Sequence, residues 1–189
     1  VKGNQESGLY MSQNHGARTI SGNEISENKG RALYIGYNCC DSDLVQIIDN
    51  KINSNGGSGV YLQNGHQGNM EVKGNEIKNN KGDGFYTNHL YKKVIFQENV
   101  IENNEGQGVY FSRINGNVLI QDNVIKNNHY SGIYVGKTSD DNSTEIVIKN
   151  NVVSGNKRNN ETHENNGITL NYRSSATAQI TGNTVEDGG

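Results

Sequence analysis

The chain contains no proline, no tryptophan and few apolar residues, so a compact globule around a large core is not expected. Of its 189 residues, 31% are hydrophobic, whereas asparagine (32 residues) and glycine (24 residues) together make up nearly a third. Composition of this kind would by itself also fit a disordered chain. The regular spacing of the asparagines instead predicts an ordered repeat.

Several classes of protein are disfavoured by what is missing. There is no apolar run long enough to span a bilayer, and the first residues do not have the form of a signal peptide. The formal net charge is −3 and basic residues are not concentrated in one stretch, so no nucleic acid partner is expected. Cys39 and Cys40 are the two cysteines; neighbouring cysteines rarely satisfy disulfide geometry, so we expect free thiols.

The sequence repeats itself about every 24 residues. Each copy has an asparagine three residues after one apolar residue and two before another, at Asn23, Asn50, Asn75, Asn99, Asn123, Asn151 and Asn183. Six copies have a second asparagine five residues later, at Asn28, Asn55, Asn80, Asn104, Asn128 and Asn156. Five copies then have a short run with a central tyrosine: LYI (33–35), VYL (60–62), FYT (85–87), VYF (109–111) and IYV (133–135). A sixth run, ITL (168–170), follows an insertion around 157–166.

Three short strands per repeat cannot each bury an apolar face, but they can if every repeat is a coil stacked on the next. The pattern therefore predicts an all-β, right-handed parallel β-helix of about seven coils, whose strands pair about 4.8 Å apart. We expect the asparagines at the corners, with left-handed backbone angles and amides bonded in a ladder. Positive φ is also expected at the glycines before the third strand: Gly59, Gly84, Gly108, Gly132 and Gly167.

The pattern covers residues 1–189 as a single β-helix domain. Residues 1–4, VKGN, repeat residues 72–75 letter for letter, so the chain begins inside a coil. Solenoids need caps over their terminal coils, and no cap-like amphipathic helix is visible. We therefore expect a fragment of a longer chain, or a solenoid whose neighbours supply the caps.

The combined pattern, V-x-x-N-x-I-x-x-N followed by G-x-G-V-Y, extends from Asn4 to Asn183. It resembles the parallel β-helix repeats of the pectate-lyase-like superfamily, which includes pectate lyases, mannuronan C5-epimerases, phage tailspike depolymerases and some non-enzymatic proteins. The resemblance implies the β-helix fold and a carbohydrate-related, extracellular or surface-associated role. The epimerases carry an Asp-Pro-His signature, which this proline-free chain lacks.

The repeated tyrosines are candidates for a sugar-binding surface. In an apolar-Tyr-apolar strand the tyrosine points outward, which predicts a column of Tyr10, Tyr34, Tyr61, Tyr86, Tyr110 and Tyr134, interrupted at Thr169. Gln63, Asn88 and Ser112 lie two residues beyond a tyrosine and also face outward. Rings can pack on pyranose faces while amides and hydroxyls bond sugar hydroxyls, and the resembled superfamily has its groove on this strand. Alternatively, the tyrosines simply stabilise neighbouring strands.

Cationic side chains follow three of the tyrosines at the same spacing. His89, Arg113 and Lys137 each come three residues after a tyrosine, in the predicted turn, and Lys92, Lys93 and His66 could enlarge the patch. Stacked cations repel one another, and a carboxylate or sulfate would relieve this repulsion. The sequence therefore predicts an anionic polysaccharide as the ligand.

Two hypotheses of function remain open. In a uronan lyase or epimerase, Arg113 or Lys137 would neutralise the uronate carboxylate, and Tyr86, Tyr110 or His89 would move protons. A tyrosine in this role needs a pKa lowered by a nearby positive charge, for which Arg113 is the candidate. The alternative is a non-catalytic binding or structural segment of a surface, adhesin or tailspike-like protein.

Other reactions find weaker support. A glycoside hydrolase needs paired carboxylates, and neither Asp83 with Glu105 nor Asp140 with Asp141 forms a convincing pair. Asp83, in the bend before its strand, is expected near Tyr86. The acidic segment 138–145 lacks a recognised calcium-ligand spacing, so calcium is a weak candidate and neither a metal nor another cofactor is assigned.

Outward-facing apolar residues form a last feature. Four residues before a corner asparagine are Ile95, Leu119 and Val147, and one residue after it are Val100, Val124 and Val152. A contiguous exposed stripe across three coils would indicate self-association or contact with a missing segment. Alternatively, these residues reflect the preference of branched side chains for strands.

Overall fold

The computed structural model describes residues 1–12, 16–36, 44–63, 68–138, 144–156, 166–171 and 176–186. The regular elements in these ranges are β-strands, and they form three parallel sheets of seven strands each. Several predictions concern residues outside these ranges: Cys39, Cys40, His66, Asp140, Asp141, the insertion at 157–165 and most of segment 138–145. The side chain of Lys137 is likewise not described.

The strands follow one another around each coil, one in each sheet. The tyrosine sheet contains β1 (Leu9–Met11), β4 (Leu33–Ile35), β7 (Val60–Leu62), β10 (Phe85–Leu90), β13 (Val109–Ile114), β16 (Ile133–Thr138) and β19 (Ile168–Leu170). The second sheet contains β2 (Arg18–Ser21), β5 (Leu44–Ile48), β8 (Asn69–Lys73), β11 (Val94–Gln97), β14 (Val118–Gln121), β17 (Glu145–Lys149) and β20 (Thr177–Thr181). The third contains β3 (Glu24–Ser26), β6 (Lys51–Asn53), β9 (Glu76–Lys78), β12 (Val100–Glu102), β15 (Val124–Lys126), β18 (Val152–Ser154) and β21 (Thr184–Glu186). The predicted arrangement of three strands per coil is confirmed.

The core lies inside the coils. It is built from every second side chain along the strands, because successive side chains of a strand point to opposite faces. Phe85, Phe96 and Phe111 are fully buried, and the ring centres of Phe85 and Phe96 are 5.0 Å apart. Ile180 and Val185 continue the buried columns of the preceding coil into the last described coil, where they are 50% and 48% exposed. Apolar burial thus depends on each coil being covered by the next.

Two columns of buried asparagines hold the corners together, as predicted. The Asn99 side chain donates to the carbonyl of Val72 (3.0 Å) and to Oδ1 of Asn123 (3.0 Å). Its own Oδ1 accepts from the backbone N–H (3.0 Å) and the amide (2.9 Å) of Asn75. The second column repeats this pattern through Asn28, Asn55, Asn80, Asn104 and Asn128 to Asn156.

The expectation of left-handed angles at these asparagines is wrong. Positive φ falls instead on the residue before each ladder asparagine, for example Gly22 (+65°), Asp49 (+54°), Glu98 (+56°) and Asn127 (+54°). The preceding residue makes the turn, which leaves the N–H of the asparagine free to donate to the next asparagine along the stack.

Gly22→Ala should therefore lower the free energy of unfolding by about 1 kcal/mol, the cost of a Cβ in left-handed backbone. A Cβ at Gly22 would meet nothing within 4 Å, so backbone strain alone is tested. Ser54 already places a Cβ at a corner with φ of +57°, and Ser54→Ala should change stability by less than about 0.5 kcal/mol. Urea unfolding measures both variants, and equal losses would contradict this account.

Positive φ was also expected, wrongly, at the glycines before the tyrosine strands. Gly59, Gly84, Gly108, Gly132 and Gly167 do not adopt it. A Cβ on Gly108 would lie 2.5 Å from the carbonyl oxygen of Gly132 and 2.5 Å from the Ile125 side chain. Glycine is needed there because adjacent coils approach closely.

Candidate functional site

The tyrosines form the predicted outward column on the tyrosine sheet. Tyr34, Tyr61, Tyr86, Tyr110 and Tyr134 are half-buried, whereas Tyr10 is exposed. Each pairs in register with the next, and Thr169 stands opposite Tyr134. The alternation of inward apolar and outward aromatic residues therefore places all of these rings on one face.

The first four rings of this column, from Tyr10 to Tyr86, stack face to face. Tyr10 and Tyr34 lie 4.6 Å apart at 5°, and Tyr61 and Tyr86 lie 4.6 Å apart at 11°. Because this distance matches the strand spacing of about 4.8 Å, the ring faces cover each other along the rod. The guanidinium of Arg31 lies 3.9 Å from the Tyr61 ring centre, so these faces already have partners. These four rings fit the alternative interpretation, in which the tyrosines only stabilise neighbouring strands.

Tyr110 is oriented differently. Its ring is at 83° to that of Tyr86 (5.2 Å between centres) and at 80° to that of Tyr134 (4.9 Å). Tyr86 keeps the orientation of the stack, so it presents its face to the edge of Tyr110. The faces of Tyr110 are consequently not covered by its column neighbours, and a sugar ring could pack against one of them.

The cationic residues lie in the strands, although a turn was expected. β10 and β13 continue past the tyrosine, and their pairing skips Asn88 and Ser112 before it resumes at His89 and Arg113. The backbone of Lys137 pairs with Arg113 on the other side. Arg113 is exposed and forms no ion pair with any residue that the structure describes. It is therefore available to an anionic ligand.

His89 is held as a neutral imidazole. Burial lowers its pKa, and the positive charge of Arg113 lowers it further, while a hydrogen bond with Asn115 opposes the shift. The ring stacks on Tyr91 (4.1 Å between centres), and its Nε2 is buried without a hydrogen-bond partner among the described residues. At neutral pH His89 can accept a proton.

The tyrosines do not have the lowered pKa expected of a base. Burial raises the pKa of both Tyr86 and Tyr110, and neighbouring tyrosines and Asp83 raise it further, while hydrogen bonding with Ser112 opposes the shift. The expectation that Arg113 would lower a tyrosine pKa is therefore wrong. Both phenols are protonated at neutral pH and can donate rather than accept a proton.

The other predicted ligand contacts are separated along the rod. Tyr86, His89, Tyr110 and Arg113 share the adjacent strands β10 and β13. Ser112 is half-buried beside the Tyr110 phenol. Tyr34 bonds through its hydroxyl to Gln63 and lies three strands from Tyr110, a distance of about 14 Å. The residues of β10 and β13 thus form the centre of the candidate site, and Tyr34, Tyr61 and Gln63 extend it along the rod.

A cleft beside Tyr110 was missed by the sequence analysis. It has a volume of about 420 Å³ and is lined by Asp83, Gln107, Tyr110, Tyr130, Ser131, Tyr134 and Thr169. Asp83, expected near Tyr86, is half-buried and also lies close enough to Tyr110 to raise the pKa of its phenol. A comparison of the repeats could have indicated the cleft, because Tyr130 stands where the two preceding coils have Gly82 and Gly106.

The predicted apolar stripe divides into two columns. Ile95, Leu119 and Val147 pair in register on the second sheet, and Val100, Val124 and Val152 on the third. All six side chains are half-buried, and Gln97 and Gln121 lie between the columns on the outer surface. A partner at this surface remains a prediction.

Neither a cluster of metal-ligating side chains nor a membrane-spanning helix is present in the described part of the chain. Within it, no group of three or more His, Cys, Asp or Glu side chains could hold a metal ion. Within the same ranges, no helix has the length and apolarity needed to cross a membrane.

Three parallel sheets wound coil upon coil define a parallel β-solenoid. The right-handed β-helix region family matches residues 1–146 and, in a second overlapping placement, residues 38–189, so the chain belongs to this family. Two overlapping matches are expected of a repeat.

Among solved structures, the crystal structure of the periplasmic alginate epimerase AlgG is similar, with a TM-score of 0.67 and 20% sequence identity over 97% of this chain. The match covers 43% of AlgG, so the chain spans less than half of that protein. No curated protein sequence matches the chain. At this identity the similarity establishes the shared fold.

Proposed function

We propose that the protein binds an extended polysaccharide on the tyrosine sheet, with an anionic sugar held at Arg113. The observation that carries this proposal is the ring of Tyr110, whose faces are not covered by the column. Three residues further along the same strand, the Arg113 guanidinium has no ion-pair partner among the described residues. An aromatic face and a fixed cation suit the apolar face and the carboxylate of a uronate. Similarity in fold to an alginate epimerase supports a polysaccharide as the ligand class.

A second, catalytic function is favoured by the state of His89. Arg113 would neutralise the uronate carboxylate, which makes the C5 proton more acidic, and the neutral imidazole would accept that proton. This step requires the His89 ring to turn, because its Nε2 is buried in the structure. In a lyase the released electron pair forms the C4–C5 double bond, the C4–O bond breaks, and a protonated tyrosine phenol donates to the leaving oxygen. In an epimerase the phenol of Tyr86 or Tyr110 would instead return a proton to C5 from the opposite face.

The catalytic function is tested with polyuronates as substrates. Elimination creates an unsaturated uronate that absorbs ultraviolet light, and NMR in deuterated water detects epimerisation as exchange at C5. His89→Gln should reduce the rate about 100-fold or more, as expected for loss of a general base, while polyuronate binding stays within a few-fold. His129→Gln, which alters an exposed histidine that does not pair with Arg113, should leave the rate unchanged.

The pH dependence gives an independent check. Because the base must be deprotonated and burial lowers the pKa of His89, the rate should persist as pH falls through the usual imidazole range and decline only below it. If polyuronates bind but neither elimination nor C5 exchange is detected, the catalytic function is excluded and the binding function is retained. Absence of binding to all polyuronates would contradict the proposal of an anionic ligand.

A further inference from the structure

The cleft beside Tyr110 is formed where the coils depart from the repeat. Tyr130 occupies a position that is glycine in the two preceding coils, and Asp83 occupies the position of Gln107 and Ser131. Thr169 stands where the preceding coils have a tyrosine, opposite Tyr134 on the neighbouring strand. The hydroxyl of Thr169 lies 3.3 Å from the hydroxyl of Ser131, which also lines the cleft. These substitutions add a wall, add a carboxylate and leave space between them.

Asp83 supplies a carboxylate that lacks a compensating cation. One of its oxygens accepts the backbone N–H of Gln107 (2.8 Å), and among the described residues it forms no ion pair. A Cβ on Gly106 would lie 2.5 Å from that same oxygen and 2.6 Å from the Asp83 backbone nitrogen, so glycine makes room for both the backbone and the side chain of Asp83. Burial raises the pKa of Asp83, because the charge has left water without a countercharge.

Two acceptor oxygens in the cleft, one on Gln107 and one on Asp83, have no hydrogen-bond donor among the described residues. The side-chain oxygen of Gln107 is buried and has no partner among the described residues. The second oxygen of Asp83 is likewise an acceptor. Tyr110, Tyr130 and Tyr134 line the same space, and no lysine or arginine is among its lining residues in the described ranges. Acceptors, negative charge and aromatic rings together favour a cation that donates hydrogen bonds.

We propose that this cleft binds the protonated amine of an amino sugar. An ammonium group has three N–H donors, which suit the carboxylate of Asp83 and the amide oxygen of Gln107, and its charge is attracted to tyrosine rings. The inference rests on the proposed polysaccharide function and narrows its substrate class. Along the strand direction, Asp83 lies before the level of Tyr110 and Arg113 lies after it, so the ligand is a polysaccharide that carries both amino sugars and acidic sugars.

Calorimetric titration with glucosamine oligomers, N-acetylglucosamine oligomers and cello-oligosaccharides of equal length tests the inference. The glucosamine oligomer should bind about tenfold tighter than the other two, because an acetyl or hydroxyl group removes the positive charge. Asp83→Asn should reduce glucosamine binding about tenfold or more while polyuronate binding at Arg113 stays unchanged. Asp122→Asn, the same change at an exposed corner, is the matched control.

Equal binding of the acetylated and free-amine oligomers, or no effect of Asp83→Asn, would overturn the amino-sugar assignment. Thermal unfolding confirms that each variant is folded. Failure of polyuronate binding alone would count against the role of Arg113 and leave the cleft supported, so the two proposals fail separately.

Discussion

Asn99→Ala is expected to lower the free energy of unfolding by about 4 kcal/mol, since a lost hydrogen bond costs roughly 1 kcal/mol and an orphaned buried group costs more. The substitution removes all four hydrogen bonds of this buried side chain. The backbone N–H of Asn75 loses its partner in the ladder, whereas the Asn75 amide still reaches the carbonyl of Ile47 (2.7 Å). Urea unfolding followed by circular dichroism measures the loss.

A matched substitution separates burial from asparagine chemistry. Asn53 also bonds to another asparagine, Asn79 (3.0 Å), but both side chains are exposed. Water can replace that bond, so Asn53→Ala should cost less than about 0.5 kcal/mol. If Asn99→Ala were as mild as Asn53→Ala, the buried ladder would not be a main source of stability at the corners.

Tyr110→Ala is expected to weaken polysaccharide binding by roughly 100-fold, because a ring in a central contact position contributes about 2–3 kcal/mol. The reason is its orientation, because its faces are not covered by the neighbouring rings and the residue lines the cleft. Tyr110→Phe keeps the ring and should lose only a few-fold. Titration with polyuronate and with glucosamine oligomers measures both variants.

Tyr34→Ala is the matched control for Tyr110→Ala, because it removes the same type of side chain from the stacked part of the column. The face of Tyr34 lies against Tyr10, so its loss should weaken binding by less than about threefold and act mainly on stability. Equal effects at Tyr34 and Tyr110 would show that ring orientation does not select the binding position. Loss of binding at Tyr34 alone would move the site along the rod.

The repeat was sufficient to predict the fold and the register. A strand alternates its side chains with a period of two, so a run such as FYT can place Tyr86 outward only if Phe85 and Thr87 face inward. Similar spacing in consecutive coils then aligns tyrosine with tyrosine and asparagine with asparagine. These relations depend on positions along the chain and therefore can be read from it.

Backbone angles at the corners were less accessible to sequence reasoning. Asparagine and glycine both tolerate positive φ, so composition suggested the ladder asparagines and the glycines before β10 and β13. The structure places positive φ on the residue before the ladder asparagine, even where that residue is Glu98 or Asp122. Hydrogen bonding between coils decides this, because Asn99 and Asn123 must direct their N–H groups along the stack.

The sequence by itself therefore determined the coil, the outward column and the row of His89 and Arg113, since each follows from a fixed period. Tertiary structure alone decided that Tyr110 turns out of the stack and that Asp83, Tyr130 and Thr169 meet around one cleft. Ring orientation depends on the side chains packed above and below it. The cleft joins residues of different coils that approach each other only when those coils are stacked.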